Sequence, residues 1–319
     1  MEARRVVVVG YQAAELLDIA CVTTSLTVAN GLGARPAYAV GVATPGGRTI
    51  TCSSGLALRS GHSLERLRGP LDTLVVSGGS GHKAAAENPR IVAHVRRLAR
   101  ESRRTASVCT GATVLAAAGL LDGKRVTTHW WYAAELAGAY PQIEVDPTPI
   151  YIRDGSVTTA AGVTSALDLT LSFIEEDHGA ELARAVARGL VTYLHRPGNQ
   201  AQMSMFTTAS ATTNSLVRRT VDHIAAHLDG DLGTATLAAG AGVSERHLTR
   251  LFVEHLGETP GRFVRNARTE AAARLLTGTS SPLASVAARC GFGSAETLRQ
   301  AFTARYGTSP SRYRATLRA

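Results

Sequence analysis

A chain of 319 residues that is 45% hydrophobic can fill two ordinary cores and belongs with soluble globular proteins. The uncharged, apolar stretch from Thr105 to Leu121 is broken by Ser107, Thr110, Gly111 and Gly119, which argues against a membrane span. The formal charge of +9 is uneven: residues 1–214 carry 20 basic against 17 acidic side chains, and residues 215–319 carry 14 arginines against 8 acids. The tail therefore attracts polyanions and favours phosphate contacts by counterion release.

The four cysteines, Cys21, Cys52, Cys109 and Cys290, are scattered without a C-x-x-C pair or a histidine cluster at metal-ligand spacing. Neither a metal nor a cofactor is expected, and a reduced, cytoplasmic compartment fits. The chain begins Glu2, Arg4, Arg5 and enters the strand-like run Val6–Val9, too short for a signal-peptide core.

Up to about residue 195, short β-branched runs alternate with helical patterns, which predicts a mostly parallel sheet covered by helices. Strands are expected at 5–9, 38–43, 73–77, 105–108, 150–153 and 157–159. Helices are expected at 14–29, 89–100, 111–118, 130–136, 165–177 and 179–190. Two loops in this stretch carry chemistry. Ser77-Gly-Gly-Ser-Gly81 follows one strand, and its glycines would let backbone N–H groups approach a developing oxyanion. Cys109-Thr110-Gly111 joins another strand to a helix, where a helix N-terminus would favour the thiolate. Both loops leave the carboxyl ends of parallel strands and should meet in one crevice. His129, at the end of the next strand, either approaches that crevice or caps the helix that Trp130 and Trp131 begin. One of those tryptophans would pack while the other lines a pocket. His82, beside Lys83, reads as an exposed loop residue, and Arg96-Arg97 through Arg103-Arg104 as a solvated helix end. Cys21, Cys52 and Cys290 read as structural.

Residues 196–215 lack clean periodicity and are read as a connector, folded back on the first domain. From 216 to 319 the period is helical, and a helix-turn-helix pattern is written twice. Leu248/Leu298, Phe252/Phe302, Gly257/Gly307, Pro260/Pro310 and Phe263/Tyr313 stand fifty apart, while Gly242/Gly291 stand forty-nine apart because Gly293 lengthens the second turn. Ser244 and Ser294 are placed to cap the second helix of each unit, with Leu248, Leu251, Phe252, Leu298, Ala301 and Phe302 facing the core. This leaves Glu245, Arg246, Thr249 and Arg250, then Ala295, Glu296, Arg299 and Gln300, for the groove of double-stranded DNA. Arg246 and Arg250, four apart on one face, can each pair with guanine O6 and N7.

The tail resembles the AraC/XylS family of bacterial transcription regulators over about Val217 to Arg314. The resemblance rests on Gly257-x-x-Pro260, Ala287-Ala-Arg-Cys-Gly-Phe292 and Gly307-Thr-Ser-Pro-Ser-Arg-Tyr313. It implies seven helices in two subdomains joined by a helix at 262–276. Ala295 departs from the bulky residue that members often carry there. The region from Arg4 to Leu194 resembles the DJ-1/PfpI branch of the class I glutamine-amidotransferase-like fold. That likeness is carried by Leu17-Asp18-Ile19, Gly78-Gly79 and Cys109-Thr110-Gly111.

This second resemblance implies a flavodoxin-like three-layer sandwich, Gly78 and Gly79 as an oxyanion hole, and Asp18 as an acid near the thiol, as in isonitrile hydratases. Protease-like members place His directly after the cysteine, where this chain has Thr110. The domain order resembles the GlxA- or FtrA-like subgroup. The expected protein is a cytoplasmic, nucleoid-associated homodimeric regulator that senses a small, nitrogen-containing effector near Asp18, Gly78, Gly79, Cys109, Thr110 and His129. If it activates, it also meets RNA polymerase. The rival expectation is a cysteine-dependent hydratase or amidase with an appended DNA-binding domain.

Overall fold

The computed structural model describes residues 2–192, 196, 198, 202 and 214–318. Two compact units divide at Gln202 and Met203. In the first, seven strands lie in the order β10-β11-β7-β6-β1-β2-β5. They are β1 (Arg4–Val9), β2 (Tyr38–Thr44), β5 (His62–Ser63), β6 (Leu71–Val76), β7 (Ser102–Val108), β10 (Tyr151–Asp154) and β11 (Val157–Ala160). Every pairing is parallel except β10 with β11.

Val6–Val9 run beside Val40–Ala43 on one side and Thr73–Val76 on the other, so β1 is buried on both faces, as its unbroken valines require. Strand order reverses at β1, and the carboxyl ends of β1, β6 and β7 therefore border a crevice. Helices α1 (Leu16–Gly31), α6 (Ser165–His178) and α7 (Ala180–Gly189) pack together. So do α2 (His82–Glu87), α3 (Pro89–Arg100) and α4 (Gly111–Ala117). Two small sheets were not legible in the sequence: β3 (Ile50–Thr51) with β4 (Ala57–Leu58), and β8 (Arg125–Val126) with β9 (Glu144–Val145).

Three sequence expectations change. Arg103 and Arg104 are not a solvated helix end but open β7, and Arg104 is buried. Its guanidinium reaches Asp177 at 2.5 Å and lies 4.0 Å over the Phe173 ring, because the last turn of α6 brings its acids to the amino end of the sheet. His82 is buried rather than exposed, with Nδ1 3.0 Å from Thr113 Oγ1 of α4. The stretch 130–136 divides into a 3-10 turn, Trp130–Tyr132, and α5 (Ala133–Ala139). Most of 196–215 lies outside the described residues, but Arg196 and Gln202 are bonded to the first unit.

The second unit is all helical: α8 (Ser215–Ala226), α9 (Thr234–Gly240), α10 (Glu245–Leu256), α11 (Pro260–Gly278), α12 (Leu283–Arg289), α13 (Ala295–Tyr306) and α14 (Pro310–Arg318). It holds two cores. Val217, Leu248, Phe252 and Phe263 belong to one, and Leu276, Leu298, Phe302 and Tyr313 to the other. Gly257 and Gly307, at φ 72° and 65°, end α10 and α13 in the left-handed conformation, and Pro260 and Pro310 open the following helices. No helix among the described residues is long and apolar enough to cross a membrane.

Candidate ligand crevice and nucleic-acid interface

β7 ends at Val108, and Cys109 then adopts φ 55°, a left-handed turn that lifts the residue off the strand before α4 begins. A Cβ at Gly78 would stand 2.5 Å from Cys109 Cβ and 2.9 Å from Asp18 Oδ2, so only glycine lets the two loops approach this closely. The thiol is buried.

Asp18, in the first turn of α1, is also buried. Its Oδ2 accepts the Gly78 N–H at 3.0 Å and its Oδ1 the Val163 N–H at 2.9 Å. Burial pushes this carboxyl up to about 7, and the two N–H donors oppose that rise. Burial, with Asp18 adding to it, pushes the Cys109 thiol up to about 12. The sequence expectation of a thiolate favoured by the helix N-terminus is therefore reversed: desolvation and a neighbouring carboxyl outweigh the helix end.

The Gly79 N–H donates to Thr110 Oγ1 at 2.9 Å, and the Thr110 hydroxyl in turn donates to the Gly79 carbonyl at 3.0 Å. Both backbone donors expected to form an oxyanion hole thus already have partners, Asp18 for Gly78 and Thr110 for Gly79. His129 caps the turn after it, its Nδ1 accepting the Trp131 N–H at 3.3 Å, and burial lowers its imidazole's affinity for a proton. No hydrogen bond joins His129 to Cys109 among the described residues. Above the thiol is a cavity of about 390 Å³ bounded by Glu15, Ser53, Cys109, Thr110, His129, Trp131 and Tyr132. Trp131 is 70% exposed and Trp130 42%, so neither is packed.

Sequence reasoning missed Glu15, Ser53 and Tyr132, and above all Gln202. The Gln202 Nε2 donates to the Thr128 carbonyl at 2.8 Å and to Thr127 Oγ1 at 3.0 Å, while its Oε1 accepts the Trp130 N–H at 2.9 Å. Thr128 Oγ1 donates to the Cys109 carbonyl at 2.8 Å. Arg196 pairs with buried Asp168 at 2.6 Å, one turn into α6 from Val163. No local pattern around a single glutamine marks it as the support of a loop seventy residues away.

In the second unit, Ser244 Oγ accepts the His247 N–H at 3.3 Å and Ser294 Oγ the Thr297 N–H at 3.1 Å, so both serines cap the helices they precede. Leu248, Leu251 and Phe252 face inward, as do Leu298, Ala301 and Phe302. Glu245, Arg246 and Arg250 are exposed and Thr249 is half-buried; Glu296, Arg299 and Gln300 are exposed and Ala295 is half-buried. The two faces differ in charge pairing. Arg299 is held by Glu296 one turn back, whereas Arg250 lies 3.7 Å from Glu254 and 3.3 Å from His247 Nδ1. Arg246 makes no ion pair among the described residues.

Comparison with known proteins agrees with both halves. Residues 4–176 match the DJ-1/PfpI family and residues 237–316 a helix-turn-helix domain. The HTH-type transcriptional regulator CdhR of Pseudomonas aeruginosa is 34% identical over 271 residues, 85% of this chain and 80% of the relative. The HTH-type transcriptional regulator GlxA of Rhizobium meliloti is 31% identical over 302 residues, 94% of this chain and 92% of the relative. The crystal structure of a THiJ/PfpI family protein from Pseudomonas syringae superposes with a TM-score of 0.55 at 25% identity, covering 76% of this chain and 92% of that one. An elbow cysteine on a parallel sheet, followed by two capped helix-turn-helix units in register, places this chain among the AraC-type transcription regulators that carry a DJ-1/PfpI domain.

Proposed function

We propose that the first unit of this DNA-binding regulator is a receptor for a small cationic nitrogen compound. The observation that carries this reading is the composition of the crevice. Trp131, Tyr132 and His129 line it with aromatic rings, Glu15 offers a carboxyl group, and none of the described residues bounding the cavity is an arginine or lysine. An ammonium group over such rings is attracted by their quadrupoles, and Glu15 supplies the counter-charge. The cavity's size suits a metabolite rather than a macromolecule.

The floor of the crevice supports binding over turnover. A nucleophile needs its thiolate and a base, and an acyl or imidate intermediate needs free N–H donors. Here the thiol is held protonated, His129 faces its own turn, and the two glycine N–H groups are engaged. The left-handed elbow at Cys109 and the Asp18 carboxyl beside it are the features that favour a hydratase or amidase.

Ligand occupancy would act by linkage: it alters how two copies of the first unit pair, and hence how two DNA-binding units are presented. Pairing extends a short recognition site, and a promoter-bound dimer that activates would also engage RNA polymerase. The groove contacts come from Arg246, Arg250, Thr249 and Glu245, and from Arg299, Gln300, Glu296 and Ala295, with Ser244 and Ser294 holding the helix starts. The two units act as a receptor over about residues 1–195 and a reader over 216–319.

Choline and its uncharged isostere 3,3-dimethylbutanol provide the test. Trp131 lines the crevice and Trp130, the chain's other tryptophan, precedes it in the same turn, so intrinsic emission reports occupancy. Choline should change the emission saturably, the isostere should not, and Glu15→Gln should weaken the response about tenfold. Equal responses to both compounds, or to neither, refute a cation receptor. Sedimentation of the full chain at micromolar concentration should give a dimer, and a strict monomer removes the pairing step.

A further inference from the structure

We propose that Arg268 and Gly291 form a joint that fixes the two helix-turn-helix units to each other. The distance between two DNA boxes is then selected by this joint, separately from the base contacts inside each box. The argument starts from an asymmetry that the sequence repeat conceals. Gly242 and Gly291 occupy the same turn of the two units, and both are left-handed, at φ 69° and 73°. A Cβ at Gly242 would meet nothing within 4 Å, so the backbone turn alone accounts for that glycine. A Cβ at Gly291 would collide with the Leu228 carbonyl oxygen and stand 2.7 Å from Arg268 Nε. Leu228, just past α8, belongs to the first helical core, and Gly291 to the turn of the second helix-turn-helix. At Gly291 the missing side chain is needed twice, for the turn and for the contact.

Arg268 sits where α11 changes allegiance. Phe263, Val264 and Ala267 of this helix are packed in the first core, and Ala272, Ala273 and Leu276 in the second. From that midpoint, Arg268 Nε donates to the Leu228 carbonyl at 2.9 Å and Nη2 to the Gly230 carbonyl at 2.7 Å. These are charge-assisted bonds in a half-buried position, and the planar fork fits two carbonyls of one loop. The loop between α8 and α9 is thereby pinned from below by α11 and abutted by Gly291. The units share a second tie besides the continuous helix, and rotation of one about the α11 axis would break it.

A rigid pair of recognition helices can serve one separation of grooves. Successive major grooves recur every 10–10.5 base pairs, so one inserted base pair turns the second box by roughly 35° about the duplex axis. A tied pair cannot follow that rotation, whereas a loosened pair can.

The experiment uses the full chain and a duplex that it selects from a randomised pool, with its two boxes located by footprinting. One or two base pairs are then inserted or deleted between the boxes. The wild type should lose about tenfold in affinity per base pair of misfit. Gly291→Ala and Arg268→Gln should tolerate one base pair within about threefold while remaining as sensitive as the wild type to base changes inside either box. Arg268→Lys, which keeps the charge but loses the fork, should fall between. A wild type indifferent to spacing overturns the joint. So does Arg268→Gln that melts as the wild type does and keeps the full spacing penalty. Should Gly291→Ala fail to fold, the two Arg268 variants decide. The result is independent of the crevice, because no effector is present in any of these titrations.

Discussion

Asp18 is an acid whose surroundings favour its neutral form, and this fixes the sign of a pH effect. Its folded pKa, about 7, lies above the unfolded value, so the folded chain holds that proton more tightly. The stability contributed is complete below about pH 4 and is lost as pH rises through about 7, with a total on the order of a few kcal/mol. Asp72 acts oppositely and in a separate window. Arg103, Thr73 and Arg4 bond its carboxylate and hold it at about 2, so its contribution is present above about pH 4 and lost below. Thermal unfolding of the wild type should therefore move to lower temperature between pH 5 and 8, and Asp18→Asn should flatten that slope whatever its own baseline stability. Parallel slopes for the two proteins would remove Asp18 as the titrating group. The same substitution relieves the Cys109 thiol of a neighbouring carboxyl, so peptide-resolved iodoacetamide labelling of Cys109 should be faster in Asp18→Asn.

At the scale of elements, α10 and α13 are near copies with different free charges. Both begin at a serine cap and end at a left-handed glycine, features legible in the sequence because caps and periodic leucines are local signals. Less legible was that Glu296 would reach forward to hold Arg299, while Arg246, which stands fifty residues before Glu296 in the repeat, meets no acid among the described residues. Arg246 can approach a guanine without first leaving a partner. Arg246→Ala should thus cost about 1–3 kcal/mol and erase preference at one base pair, whereas Arg299→Ala should cost less. Binding to a panel of single-base variants at one fixed salt concentration separates the two. Equal losses at the two positions would mean that the Glu296 pair does not survive in the complex.

The limits of sequence reading show in other elements too. His82 looks exposed until α4 brings Thr113 against it, and Arg104 looks solvated until α6 delivers Asp177. In each case the deciding partner lies more than thirty residues away. The parallel sheet and the elbow were readable from runs of valine and from Cys109-Thr110-Gly111. The engagement of Gly78 and Gly79 was not, since it depends on where Asp18 and the Thr110 hydroxyl point.

For the molecule as a whole, the proposed receptor role requires a mechanical connection to the DNA-binding unit, and Gln202 is the described residue best placed to provide it. It is the last residue of the first unit, and its side chain forms part of the support beneath the crevice wall. It bonds Trp130 N–H and the Thr128 carbonyl, and Thr128 in turn holds the Cys109 carbonyl. A ligand that displaces the turn at Trp130–Tyr132 must strain or release Gln202. Linkage runs in both directions, so DNA bound by the second unit should perturb the same turn. Because the chain has only two tryptophans and both are in that turn, their emission isolates the effect. Titrating the full chain with its selected duplex should shift the emission, and Gln202→Ala should abolish the shift while leaving DNA affinity in the absence of effector within about twofold. Gln202→Glu can still accept the Trp130 N–H but loses both donors to Thr127 and Thr128, and it should behave as the alanine variant does. A DNA-induced shift that survives both substitutions would place the connection elsewhere in the chain, with Arg196 and its buried partner Asp168 the next residues to alter.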